Sequence, residues 1–250
     1  MSGIDVFIAA WLIVSVLTAI GVTYDAFRNQ PAIIPIMKVA WGLITLYMGP
    51  IGAILYLTSC REPSPGTHER YVAPQWKQTA GSTVHCVAGD AVGIGIVAAI
   101  LSVFAVRWWW EFTLEYVAAF ITGWLLFQAV AMGRMMGGFR AALKGAFVAE
   151  ALSLTAMVAG MFPTMFWLMD MSHEGDSGTR VGPDEVQFWG AMSAAIIVGF
   201  VVTYPVNWWL VASGRKHGMA SSMSMGHGGH EPHPGHGMPV EESDEVAGRQ

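Results

Sequence analysis

The chain has 250 residues, of which 54% are hydrophobic and only 12% charged, and its formal net charge is −5. A soluble domain carries about 25% charged residues, so this composition excludes a water-exposed globular fold and predicts an integral membrane protein. No basic block suits nucleic acid, and the two cysteines, Cys60 and Cys86, sit at the edges of apolar runs rather than in the spaced framework of a secreted disulfide protein.

A bilayer crossing needs about 20 apolar residues. Six runs qualify, roughly 5–26, 36–58, 81–105, 112–135, 140–169 and 187–212. The first has no basic segment before it and no small-residue cleavage pattern, so it is expected to be a retained helix. The second contains Gly49-Pro50, read as a tolerated kink, and the fifth contains Pro163, which predicts a kink or a partly re-entrant segment. Tryptophans gather at the run ends (Trp76, Trp108 to Trp110, Trp167, Trp189, Trp208, Trp209), as in an interfacial belt. The expected fold is therefore all-α, a polytopic bundle of about six transmembrane helices over residues 1–212. Residues 213–250 are rich in Gly, Ser, His, Met and Pro and then acidic, which predicts a disordered tail.

Lysine and arginine near the run ends set the orientation. With six crossings, Arg61, Arg70, Lys77, Arg134, Arg140, Lys144, Arg215 and Lys216 share one face, against Arg28, Lys38, Arg107 and Arg180 on the other. This places both termini in the cytoplasm of a bacterial inner membrane.

The third run carries the densest chemistry. It opens Gly81-Ser-Thr-Val-His85-Cys86-Val-Ala-Gly89-Asp90. Polar groups in hydrocarbon are costly and usually face the protein interior. Gly81, His85, Gly89 and Gly93 recur every four residues, a small-residue face that lets another helix approach and puts His85 in a helix–helix seam. Cys86 and Asp90 lie on the adjoining face. Neighbouring helical residues point about 100° apart, so His85 is not placed to activate Cys86 as a nucleophile. His85 is open to three readings: a structural residue, a metal ligand, or a haem or proton-relay group. Bis-histidine haem would need a second buried histidine that no other run supplies. Asp90, Glu115 and Glu150 are the candidates for a proton relay.

The fifth run holds Met157, Met161, Met165 and Met169 at a spacing of four, followed by Met171 and His173 and preceded by Glu150; the fourth ends with Met132, Met135 and Met136. Methionine is a common gap-filler of apolar packing, but thioethers are also Cu(I) donors. In the tail, His227, His230, His233 and His236 recur every three residues among Met219, Met223, Met225 and Met238, a tract suited to loose binding of copper, nickel or zinc.

On the expected topology these groups line up. His173 and the acidic residues near it form one mouth, the methionines descend the fifth helix, and Cys60, His85, Cys86 and Asp90 stand near the other end. A series of weak donors permits passage, because conduction needs binding strong enough to enter and weak enough to leave. A cytoplasmic His/Met tail pulls against this order, since such segments suit compartments where thiols do not dominate copper exchange.

Three segments resemble the bacterial membrane family called Domain of Unknown Function 4396. They are His85-Cys86-Val-Ala-Gly89, Phe188-Trp189-Gly190, and Tyr204-Pro205-Val206-Asn207-Trp208-Trp209-Leu210. The likeness covers roughly residues 76–218, and its motif residues are His85, Cys86, Gly89, Pro205 and Asn207. The resemblance implies a polytopic membrane domain, and members described alongside copper-handling proteins favour copper. The chain departs from the family pattern at Asp90, where cysteine is common, and near Val158 and Met161, where acidic residues are common. Pro205 frees a helical carbonyl, which Asn207 or a cation could meet, or it only kinks the helix.

The leading expectation is transport, or binding and delivery, of a soft transition metal, copper(I) first. The alternatives are a non-transporting accessory or assembly factor, in a membrane complex or homo-oligomer, and a membrane oxidoreductase using haem or a thiol. Lipid and a metal ion are the expected partners.

Overall fold

The computed structural model describes residues 2–104, 106–129, 139–171, 182–216 and 218, and in these every regular element is helical. The helices are α1 (Gly3–Asn29), α2 (Pro35–Met48), α3 (Pro50–Ser59), α4 (His68–Val72), α5 (Gln75–Leu101), α6 (Trp108–Ile121), α7 (Phe139–Met171) and α8 (Val186–Ala212), with a π-helical segment, Thr122–Ala129, continuing α6. Within them, α1, α5, residues 143–169 of α7, and α8 are each long and apolar enough to cross a membrane.

Local chemistry sets the boundaries. Ser2 caps α1: its hydroxyl accepts from the Asp5 amide, and the Asp5 carboxylate accepts from the Ser2 amide, a reciprocal capping box. The second apolar run is broken at Gly49-Pro50 rather than kinked. Gly49 stands at φ 57° and ψ −137°, a conformation that suits glycine alone, and Pro50 starts α3, where its missing N–H costs nothing. By contrast, α7 runs unbroken through Pro163 and α8 through Pro205, so the fifth run contains no re-entrant turn. The third span starts earlier than expected, at Gln75, and stops at Leu101.

The bundle is organised around α5. Every residue from Lys77 to Ala91 is buried, the signature of a helix enclosed on all sides by others. On one side Gly93 admits α6 so closely that a Cβ there would strike the Ala118 carbonyl and the Thr122 hydroxyl. This is the small-residue contact expected of that face. α7 and α8 form the most extensive seam. A Cβ on Gly160 would lie 2.9 Å from Val202 Cγ2, and one on Gly199 would lie 3.1 Å from the Met157 carbonyl.

α1 to α3 brace this core. Trp11 Nε1 donates to Ser193 Oγ at 2.9 Å, and Ser193 Oγ donates to the Tyr47 carbonyl at 2.6 Å, tying α1 and α2 to α8. Asp25 accepts from Tyr56 Oη at 2.8 Å and from Arg61 Nε at 2.9 Å, pinning α3 to α1.

Candidate functional site

The polar residues of α5 form a stripe. Thr79, Thr83, Cys86 and Asp90 follow each other at spacings of four, three and four, which keeps them on one helical face. All four are buried. Glu150 and Ser153, three apart on α7, and Asn207 on α8 meet that stripe, and all three are fully buried.

The bonding is continuous. Thr83 Oγ1 donates to the Thr79 carbonyl at 2.9 Å and accepts from Asn207 Nδ2 at 3.1 Å. Ser153 Oγ donates to Asn207 Oδ1 at 2.5 Å. The Cys86 thiol donates to Glu150 Oε2 at 3.2 Å. The Asp90 and Glu150 carboxyl groups are both fully buried and converge on one point. Both groups crowd the α-carbon of Gly123, where a Cβ would strike Asp90 Oδ1 and Glu150 Oε1. Gly123 lies in the π-helical segment, and such turns are frequent at functional sites.

Lys216 completes the cluster. Its ammonium donates to Cys86 Sγ at 2.9 Å, Ser153 Oγ at 2.7 Å and Asn207 Oδ1 at 2.8 Å, and the residue is only 6% exposed. A glycine turn brings it there. α8 ends at Ala212, Gly214 takes φ 69°, and the amides of Arg215 and Lys216 both donate to the Leu210 carbonyl. This is a glycine-terminated helix cap that reverses the chain. The long aliphatic stem then carries the ammonium into the bundle. Composition assigns residues 213–216 to the tail, whereas here they close the end of α8 and fill the site.

A second feature lies toward the C-terminal end of α5. A cavity of about 710 Å³ is floored by Ile94 and Met161. Met165, Met169 and Met192 also line it, with the carboxylates of Glu111, Glu115 and Asp184. Ile94 is one helical turn from Asp90, about 6 Å along α5. Leu154 and Met157 are fully buried on α7, between its contributions to the cavity and to the polar cluster.

The residues singled out by sequence therefore divide. Cys86, Asp90, Glu150 and Asn207 come together. Asn207 turns to Thr83, Ser153 and Lys216. His85 is fully buried within α5, as its glycine face predicts, and Gly89 is buried beside it. Met157 and Met161 pack in the seam against Gly199, and Met161 also reaches the cavity. Cys60 is not in any contact of the cluster. It is 1% exposed near the Trp41 indole, and burial pushes its thiol up to about 12. Met132, Met135, Met136, His173, His227, His230, His233 and His236 lie outside the described residues. Among the described residues, no group of three or more His, Cys, Asp and Glu is arranged to hold a metal ion. Sequence reasoning did not assign Thr83, Gly123, Ser153 or Lys216 to the site.

An all-helical bundle with membrane-length apolar helices, closed around a buried ammonium–thiol–carboxyl network, is the architecture of a membrane protein with an internal polar site. The chain belongs to the family described as domain of unknown function 4396, which matches residues 75–216. Every member of the polar cluster falls inside that match. No curated protein and no solved structure matches the chain.

Proposed function

We infer that this protein moves a monovalent cation across the membrane, with the soft metal ion copper(I) as its cargo. One observation carries the reading. A cavity lined by thioethers and carboxylates lies one helical turn from a buried cation-holding cluster, with an apolar layer of Leu154 and Met157 in between. A vestibule, a barrier and a buried site in series are the parts a carrier needs. The donors suit copper(I): four methionine sulfurs along the cavity and the Cys86 sulfur in the cluster. A weak, distributed donor set favours passage over tight storage.

The reading includes six crossings. The 14-residue α6 is about 21 Å long, too short alone for a hydrocarbon core of about 30 Å. Continued by the π-helical segment, it becomes long enough. α2 and α3 together, across the Gly49 break, supply the remaining crossing. Lysine and arginine counts then put both termini in the cytoplasm of a bacterial inner membrane, and the His/Met tail beyond Lys216 serves as a loose metal collector on that side.

The test is uptake of copper(I), or of silver(I) as its redox-inert stand-in, into proteoliposomes. Wild-type protein is expected to carry the ion. Cys86→Ser and the triple variant Met161→Leu/Met165→Leu/Met169→Leu are expected to lose most of the flux. Ion binding without flux would replace this reading by the accessory one, in which the protein holds the metal for a membrane complex.

A further inference from the structure

We propose that the seat of the Lys216 ammonium is itself the site for the transported ion, and that Lys216 is a tethered competitor which a monovalent soft cation displaces. This rests on the cation reading above and adds to it the charge class of the ion and the switch at the site.

Three observations meet here. The seat is built for a cation. A thiol sulfur, a hydroxyl oxygen and an amide oxygen converge on one point at 2.9, 2.7 and 2.8 Å, each from a different helix. The donors are mutually braced, because Ser153 and Asn207 bond each other and Cys86 bonds Glu150. They therefore stay in place when the occupant leaves.

The second observation is charge. The buried Asp90 and Glu150 carboxyl groups stand beside the seat, Glu150 bonded to Cys86, and Lys216 supplies one positive charge. In a buried site an uncompensated charge is expensive. Exchange of the ammonium for an ion of the same charge leaves the balance intact. A divalent ion adds a charge, which the cluster can offset only by releasing a proton from the Cys86 thiol or a carboxyl group. The sulfur donor then selects a soft monovalent ion over sodium or potassium.

The third is the tether. Lys216 is not on a helix. It follows the Gly214 turn, where a backbone at φ 69° ends α8; the Arg215 and Lys216 amides both go to the Leu210 carbonyl, and the Gly214 amide goes to that of Val211. Reopening that turn withdraws the ammonium without moving α5, α7 or α8. Occupancy of the seat by metal and position of the segment after α8 are thereby coupled, and coupling of this kind is reciprocal.

The experiment uses the full-length protein in detergent and silver(I) as the probe. Amine acetylation is read peptide by peptide, with exposed Lys144 as the internal reference. Silver(I) at saturation is expected to raise Lys216 labelling about tenfold relative to Lys144, and zinc(II) is expected to leave it unchanged. Lys216→Gln and Lys216→Ala are each expected to tighten the Cys86-dependent silver(I) affinity about tenfold or more, because removing a competing state restores the binding-competent fraction. The labelling arm uses wild-type protein and stands even where a variant folds poorly. Silver(I) binding that Cys86→Ser abolishes, with Lys216 still protected and affinity unchanged in both Lys216 variants, overturns this inference and leaves the cation reading standing. Equal release by zinc(II) overturns the charge-matched exchange. Silver(I) binding indifferent to Cys86→Ser overturns both.

Discussion

The sharpest consequence of the buried cluster concerns Lys216→Met. Methionine keeps most of the stem's volume and removes the ammonium, so packing is nearly conserved while one charge and three donated hydrogen bonds disappear. The three bonds do not count equally. Ser153 and Asn207 retain their bond to each other, so these two groups stay satisfied. The loss falls on the buried Asp90 and Glu150 carboxyl groups beside the ammonium, to which the Cys86 thiol still donates through Glu150. Removing one partner of a buried charge pair costs about 3–5 kcal/mol. Adding Glu150→Gln to Lys216→Met replaces an acidic group beside the vacated ammonium by a neutral one, and a double-mutant cycle is expected to show a favourable coupling of about 2–3 kcal/mol. The assay is reversible unfolding in mixed micelles, read by tryptophan fluorescence. Stability of Lys216→Met within about 0.5 kcal/mol of wild type, the range of an unremarkable surface change, would refute the reasoning. So would a Glu150→Gln change that simply adds to the loss.

Two glycines separate backbone effects from steric ones. At Gly214 a Cβ meets nothing within 4 Å but the residue sits at φ 69°, so Gly214→Ala is expected to cost about 1 kcal/mol and to raise Lys216 labelling by loosening the turn. At Gly123 the obstacle is two carboxylates, so Gly123→Ala is expected to cost about 1–3 kcal/mol as the Asp90–Glu150 pair is pushed apart; infrared carboxyl bands report that separation. Met157→Leu is a near volume-conserving swap in the α7–α8 seam and is expected to cost under about 1.5 kcal/mol with silver(I) flux retained, whereas Met165→Leu/Met169→Leu in the cavity is expected to lower flux with little loss of stability. Arg61→Ala removes an ion pair whose side chains are 41% and 19% exposed, so it is expected to shift the unfolding midpoint by the equivalent of about 1 kcal/mol or less.

Much of this architecture was legible in the chain, for identifiable reasons. Apolar run length is read directly, and among the described residues each of the six runs contains helix, four of them long and apolar enough to cross a membrane. The stripe on α5 was legible because Cys86 and Asp90 are costly in an apolar run and fall on one face. What local reasoning missed came from two sources. Serine and threonine inside apolar helices usually bond the carbonyl one turn back, as Thr45 and Thr155 do here. Nothing in the sequence marks Ser153 as different from Thr155, although one faces the cluster and the other is exposed. Lys216 was hidden because a charge just past a helix end is ordinarily an interfacial anchor. The available signal was Ser213-Gly214-Arg215-Lys216: glycine one residue past a helix cap turns the chain back on itself, so the second residue after it can point inward. The Gly49 break was underestimated because proline alone permits a kink, and the extra freedom of the preceding glycine was needed to separate two helices.

The division of labour along the chain narrows where function resides. Thr83, Cys86, Asp90, Gly123, Glu150, Ser153, Asn207 and Lys216 all belong to the stretch matched by the family, residues 75–216. The described contacts of α1 to α3 with that stretch are of another kind. Trp11 and Tyr47 meet Ser193 on α8, and an apolar layer including Trp41, Ile44 and Met48 joins the core. Neither brings an ionisable group to the cluster. α1 to α3 therefore act as a brace that fixes α8, and α8 in turn aims Asn207 and the Gly214 turn. A lesion where the brace meets α8, such as Ser193→Ala, should accordingly lower the stability of the bundle while leaving the chemistry of the Lys216 seat unchanged. A lesion on the α5 stripe should change the chemistry of the seat as well as stability.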